Sequence, residues 1–195
     1  STTSDCLAIG FGTLKAVTTG TGIAIGSYAL QTATTGVNNL AIGASSLQAL
    51  TTGTDNIGIG LQTLQASTVG LRNIAIGTSA LAVSTTNDCV AVGFGTLKAI
   101  TTGTGIAIGS YALQTATTGV NNLAIGASSL QALTTGTDNI GIGLQTLQAA
   151  TTGQRNVAIG TSALAASTTS DCLAIGFQAM TANTTGTGIA IGSYA

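Results

Sequence analysis

The chain has no proline, histidine, tryptophan or glutamate, and only nine of its 195 residues carry a formal charge. Without histidine or glutamate, the side chains that most often act as general acids, bases and metal ligands are missing. A soluble domain is about a quarter charged; here the figure is 5%. Aromatic residues make up only 3%, so an ordinary globular core would be thin. Long apolar runs are absent too: a spanning helix needs about 20 consecutive apolar residues, and Thr, Gly or Ser interrupts every few positions. The chain opens Ser-Thr-Thr-Ser-Asp, without the basic and apolar regions of a secretory leader, and stops in mid-motif at Gly192-Ser193-Tyr194-Ala195. It therefore reads as an excerpt from something longer. A net charge of −1 gives no electrostatic reason to expect nucleic acid or an anionic membrane as partner.

What is present is repetition, the feature to be sought first. The pattern apolar-small-apolar-Gly recurs twelve times, ending at Gly10, Gly26, Gly43, Gly60, Gly77, Gly93, Gly109, Gly126, Gly143, Gly160, Gly176 and Gly192. The spacings run 16, 17, 17, 17, 16 and then repeat, so five short units make an 83-residue super-repeat. Residues 5–87 and 88–170 differ at nine positions, and residues 171–195 begin a third copy. The whole chain is thus one solenoid segment rather than a set of globular domains.

Within the repeat, Ile or Val precedes every motif Gly, a second aliphatic lies two residues earlier, and only Ala or Gly stands between them, as in Leu40-Ala41-Ile42. Four residues after the Gly comes Leu, replaced once by Met180, and a Thr pair such as Thr51-Thr52 follows, broken only at Val69. Period-two alternation is the mark of a strand. The pattern predicts an all-β, parallel β-solenoid of twelve 16–17-residue coils. Each coil would hold one strand at the motif and a second near Leu47–Thr52, stacked on its copies at about 4.8 Å. Twelve such coils make a rod on the order of 55 Å long. The paired aliphatics and the Leu are expected inside. The Ala/Gly column then suits close approach of another backbone, and leftover apolar surface marks an association face. A parallel homotrimer is the assembly these features favour.

Units such as Asn38-Asn39-Leu40-Ala41-Ile42-Gly43 and Arg72-Asn73-Ile74-Ala75-Ile76-Gly77 resemble the head repeats of YadA-like trimeric autotransporter adhesins. They are also similar to Asn-x-Ala-Ile-Gly repeats of phage and other viral tail fibres. The resemblance covers all twelve copies. It implies a left-handed parallel β-roll, one coil per repeat, with three chains side by side. Adhesin head repeats are typically shorter, which predicts a longer turn around Thr-Thr-Gly. The Asn position also varies, being Gly22, Cys6 or Cys89 in some coils.

Individual residues add detail. Cys6, Cys89 and Cys172 occupy one super-repeat position, about 24 Å apart at the solenoid rise; disulfide partners need Cα atoms within about 7 Å. They read as small buried substitutes for Asn, and metal binding lacks a second ligand nearby. Five residues before the motif Gly, Arg72 falls between Asp55 and Asp88, and Arg155 between Asp138 and Asp171, which predicts an ion-pair ladder; the arginines oppose a calcium site. Gln31, Gln48 and Gln65 form a column suited to an amide ladder or to a solvated polar face. Phe11, Tyr28, Phe94, Tyr111, Phe177 and Tyr194 follow the motif Gly and either pack at the corner or present rings to sugars. Adjacent Thr residues on a strand point to opposite faces, so at most one Thr column would face outward, against an ice-binding array. No catalytic residue, cofactor site or metal site is expected, and the Gly-x-Gly pairs follow no βαβ pattern. The expected function is a shaft of an attachment fibre, extracellular or on a virion surface, whose receptor or glycan would be met by other regions. The rival is an adhesin that binds through the solenoid surface.

Overall fold

The computed structural model describes residues 5–195; the start of the chain, on which the missing leader was read, lies outside them apart from Asp5. The strands are β1 (Cys6–Ile9), β2 (Gly22–Ile25), β3 (Asn39–Ile42), β4 (Ile57–Ile59), β5 (Ile74–Ile76), β6 (Val90–Val92), β7 (Gly105–Ile108), β8 (Asn122–Ile125), β9 (Ile140–Ile142), β10 (Val157–Ile159), β11 (Cys172–Ile175) and β12 (Gly188–Ile191). They form a single parallel sheet in sequential order. Each strand pairs with its own copy in the next coil: Leu40 lies beside Ile57, Ala41 beside Gly58 and Ile42 beside Ile59. The chain is therefore a parallel β-solenoid, and no helix occurs among the described residues.

Two expectations are overturned. The first concerns which side of the strand faces in. Ala24, Ala41, Ala75, Ala91 and their equivalents in all but the two end coils are fully buried, whereas the flanking aliphatics Ile23, Ile76, Ile106 and Ile108 are exposed. The interior of so narrow a coil admits only a methyl group at mid-strand. At Gly58 even that is excluded, since a Cβ would come 2.6 Å from the Ser46 Oγ and 2.9 Å from the Thr63 Oγ1. Those hydroxyls fill the space instead, hydrogen-bonded to each other at 2.7 Å, with Ser46 also donating to the Gly58 carbonyl at 3.0 Å. The large apolar core comes from the Leu column (Leu47, Leu64, Leu81, Leu97) and from Leu50, Ile100 and Leu133.

The second correction concerns Leu47–Thr52, which is a turn and bend rather than a strand. Its backbone alternates handedness: Ser45 and Leu47 have φ of 55° and 52°, and the same two columns are left-handed in coil after coil. Non-glycine residues adopt that region rarely because Cβ crowds the carbonyl oxygen. Here stacking holds them, since the turns are hydrogen-bonded coil to coil. Leu30 N–H donates to the Ser46 carbonyl at 3.1 Å, and Leu47 N–H to that of Thr63 at 2.9 Å. The Leu side chains are thereby turned into the core.

A column of buried amides lies beside the strands. Asn56 donates from Nδ2 to the Asn39 Oδ1 at 3.1 Å and to the Gly70 carbonyl at 2.7 Å. Its own Oδ1 accepts from the backbone N–H and the Nδ2 of Asn73, at 3.0 and 3.1 Å. Cys89 ends this run, its N–H bonded to the Asn73 Oδ1 at 3.0 Å. Cys172 ends the equivalent run in the same way. Both thiols are buried and unbridged, as small substitutes for Asn, and burial pushes the Cys89 thiol above its ordinary pKa. Cys6, on the outermost described coil, is exposed.

Candidate association surface

Because the small column faces in, every coil directs two branched aliphatics outward from the same sheet. In β3, β4 and β8 these pairs are Leu40/Ile42, Ile57/Ile59 and Leu123/Ile125, all half-buried; in β7 they are the exposed Ile106/Ile108. The strip runs unbroken over all twelve strands. Sequence reading anticipated leftover apolar surface but assigned these side chains to the core. The signal it lacked was the inner width of the coil, which no single residue states.

The strip has two unlike edges. Where the chain enters each strand, the 17-residue coils place a left-handed polar residue at the corner: Asn38, Asp55, Arg72, Asn121, Asp138 and Arg155. The ion pairs expected there form on one side of each arginine. Arg72 Nε and Nη2 reach the Asp88 carboxylate at 2.7 and 2.8 Å, and Arg155 reaches that of Asp171 at 2.6 and 2.9 Å. The hydrogen bonds hold the Asp88 and Asp171 carboxyls below the usual carboxylate range and raise the arginines. Asp55 does not complete the ladder as an ion pair; it accepts from the Asn38 Nδ2 at 3.0 Å. These pairs are solvent-exposed, where screening by water leaves such contacts little weight in stability.

At the opposite edge, where the chain leaves the strand, Phe11–Tyr28, Phe94–Tyr111 and Phe177–Tyr194 pack edge to face with centroids 5.4, 5.2 and 5.2 Å apart. Each ring packs on its partner and still projects: Phe94 keeps 48% of its surface and Tyr111 37%. The packing at the corner that the sequence offered is thus seen, with part of each ring left at the surface. The Gln column forms an amide ladder, Gln48 donating to Gln31 at 3.0 Å and Gln65 to Gln48 at 3.3 Å, half-buried rather than simply solvated. The Thr pairs depart from expectation. They lie in a bend, so Thr101 and Thr102 both reach solvent; the Thr101 hydroxyl is spent on the Thr117 carbonyl at 3.1 Å.

Among the described residues no three His, Cys, Asp or Glu side chains group as metal ligands. Comparison with protein-family models, with curated proteins and with solved structures finds no match.

Proposed function

We propose that this chain is a shaft segment of a trimeric attachment fibre, a stiff spacer that holds a receptor-binding tip away from its base. The observation that carries the reading is the unbroken aliphatic strip on one face of the sheet. Its extent is about 55 Å by about 13 Å, or roughly 700 Å², from the spacings of a β-sheet. That is comparable to the about 800 Å² per partner buried in a stable interface, and far beyond what scattered surface apolar residues produce. Parallel copies packed face to face around an axis would cover it. The fibre would be a phage or viral tail fibre, outside the cell or on the virion, with its receptor met by other regions. Nucleic acid and membrane insertion have no part in this segment, and neither does catalysis.

The repetition supports a spacer: each block presents the same side chains as the last, so distance rather than a unique site varies with copy number. Two measurements test the proposal. Sedimentation equilibrium of the chain should give three times the monomer mass, and labelled antibody to it should decorate thin projections on native particles in micrographs. A monomer, or label confined to the particle interior, refutes it. The exposed Phe–Tyr pairs favour a second reading, a bacterial trimeric adhesin whose solenoid surface binds glycans; saturable retention of the chain on a glycan array would select it.

A further inference from the structure

A strip of near-identical rows has a defect as an interface. A neighbour shifted by one coil, about 4.8 Å, meets almost the same aliphatics and loses little. Something non-uniform must fix the axial register of the copies. Besides the Arg72–Asp88 ion pair, two features of shape break the uniformity, each once per 83-residue block.

The first is a notch. In the coil leading to β7, Thr104 runs directly into Gly105, so the left-handed corner residue of the longer coils is missing. Gly also replaces the Asn of the amide column. The gap lies between Asp88 below and Asn121 above, walled by Ile106 and Leu123, with a volume of about 290 Å³. The equivalent position in the first block, around Thr21, Gly22 and Ile23, holds a notch of about 430 Å³ between Asp5 and Asn38. The lips are fixed: Asp88 by Arg72, and Asn121 by its N–H on the Thr104 hydroxyl at 3.3 Å and its Nδ2 on Asp138 at 3.1 Å.

The second feature is a knob, the Phe94–Tyr111 pair. Phe94 follows β6 and Tyr111 follows β7, and the notch spans the starts of β6, β7 and β8. Knob and notch therefore stand at the same height on opposite edges of the apolar strip. In a cyclic assembly of parallel chains about an axis along the rod, one edge of each copy meets the other edge of the next at the same height, which brings knob to notch. An antiparallel pair would instead bring like edges together.

We infer that Phe94 and Tyr111 of one copy seat in the Thr104–Gly105 notch of the adjacent copy, and that this contact, repeated once per block, locks the chains of the fibre in axial register. The rings would cover the Ile106 and Leu123 wall, and the Tyr hydroxyl would donate to the amide or hydroxyl oxygens of the lip. The inference rests on the trimer reading above and adds the residues that align it.

The test is cysteine cross-linking in the full chain with Cys6, Cys89 and Cys172 replaced by Ser. Phe94→Cys with Thr104→Cys places both thiols at the proposed contact. Phe94→Cys with Thr137→Cys displaces the second by two coils, about 9.6 Å, beyond disulfide reach. Mild oxidation should give covalent trimer at least about tenfold more abundantly with Thr104→Cys than with Thr137→Cys, given the Cα separation a disulfide tolerates. A second variant avoids dependence on disulfide geometry. Phe94→Ser with Tyr111→Ser installs a residue that these two columns already hold at Ser110 and Ser128, and it should leave a trimer that melts lower than the parent. A trimer that cross-links equally at both positions or at neither, and is indifferent to the Ser substitutions, overturns the lock and leaves the fibre reading standing. A monomer in every case overturns both.

Discussion

The amide column offers the sharpest test of how the solenoid is held together. Asn56→Ala removes one member from the middle of the run. Asn73 then loses the acceptor of its buried backbone N–H, formerly 3.0 Å from the Asn56 Oδ1, and the Gly70 carbonyl loses a donor at 2.7 Å. Each orphaned buried group costs about 1–3 kcal/mol. Asn39 is spared much of this, because its Oδ1 also accepts from the backbone N–H of residue 56 at 3.0 Å. Two orphans put the loss at about 2–6 kcal/mol, with the mid-range near about 4 kcal/mol. Since coils contact only their neighbours, the damage should be local, so a global melt alone is a blunt readout. Amide hydrogen exchange resolves it: the Asn73 amide should lose protection by two or more orders of magnitude, while that of Asn156 in the second block is unchanged. Asn56→Ala with less than about 1 kcal/mol lost and an unaltered Asn73 amide would refute the view that the amides are structural partners rather than passengers.

Four further outcomes follow from other columns. The Ser67 Oγ is buried without a hydrogen-bond partner and the second block has Ala150 at that position, so Ser67→Ala should stabilise the fold by about 1 kcal/mol or more, read as a higher urea midpoint. Leu47→Ala, emptying a fully buried core position, should cost about 2–5 kcal/mol, measured by the same titration. Gln62 sits at φ 57°, where a side chain costs roughly 1–2 kcal/mol; Gln62→Gly should be neutral or stabilising and Gln62→Val clearly destabilising in thermal melts. The lowered carboxyls of Asp88 and Asp171 contribute stability that is present above the unfolded carboxylate pKa and lost as pH falls through the folded value. Melting temperature should thus drop slightly on acidification below about pH 4, and the drop should shrink in Arg72→Met with Arg155→Met.

The repeat, the twelve strands and their register were legible because spacing alone carries them. The pairing of Arg72 with Asp88 and the burial of Cys89 also followed from column order; that Asp55 stays out of the ladder did not. The inside and outside of the strand did not. Hydropathy sends Ile42 inward and leaves Ala41 for the surface, and only the bore of the coil reverses this, a property of the closed turn and not of any residue in it. The false strand at Leu47–Thr52 has a similar cause: Leu47 and Gln62 carry no propensity for left-handed backbone, so the turn that places them there is invisible until coils are stacked. The notch was visible only as a one-residue deletion, whose meaning depends on what neighbours the gap.

The run of three buried amides also bears on how such a chain changes length. In each block it begins at Asn39 or Asn122, above a glycine, and closes at Cys89 or Cys172. A duplication or deletion of 83 residues exchanges one closed run for another and never leaves an amide facing the wrong neighbour. Lineages can therefore edit the gene in whole blocks, and the length of the solenoid is quantised, in steps of about 24 Å.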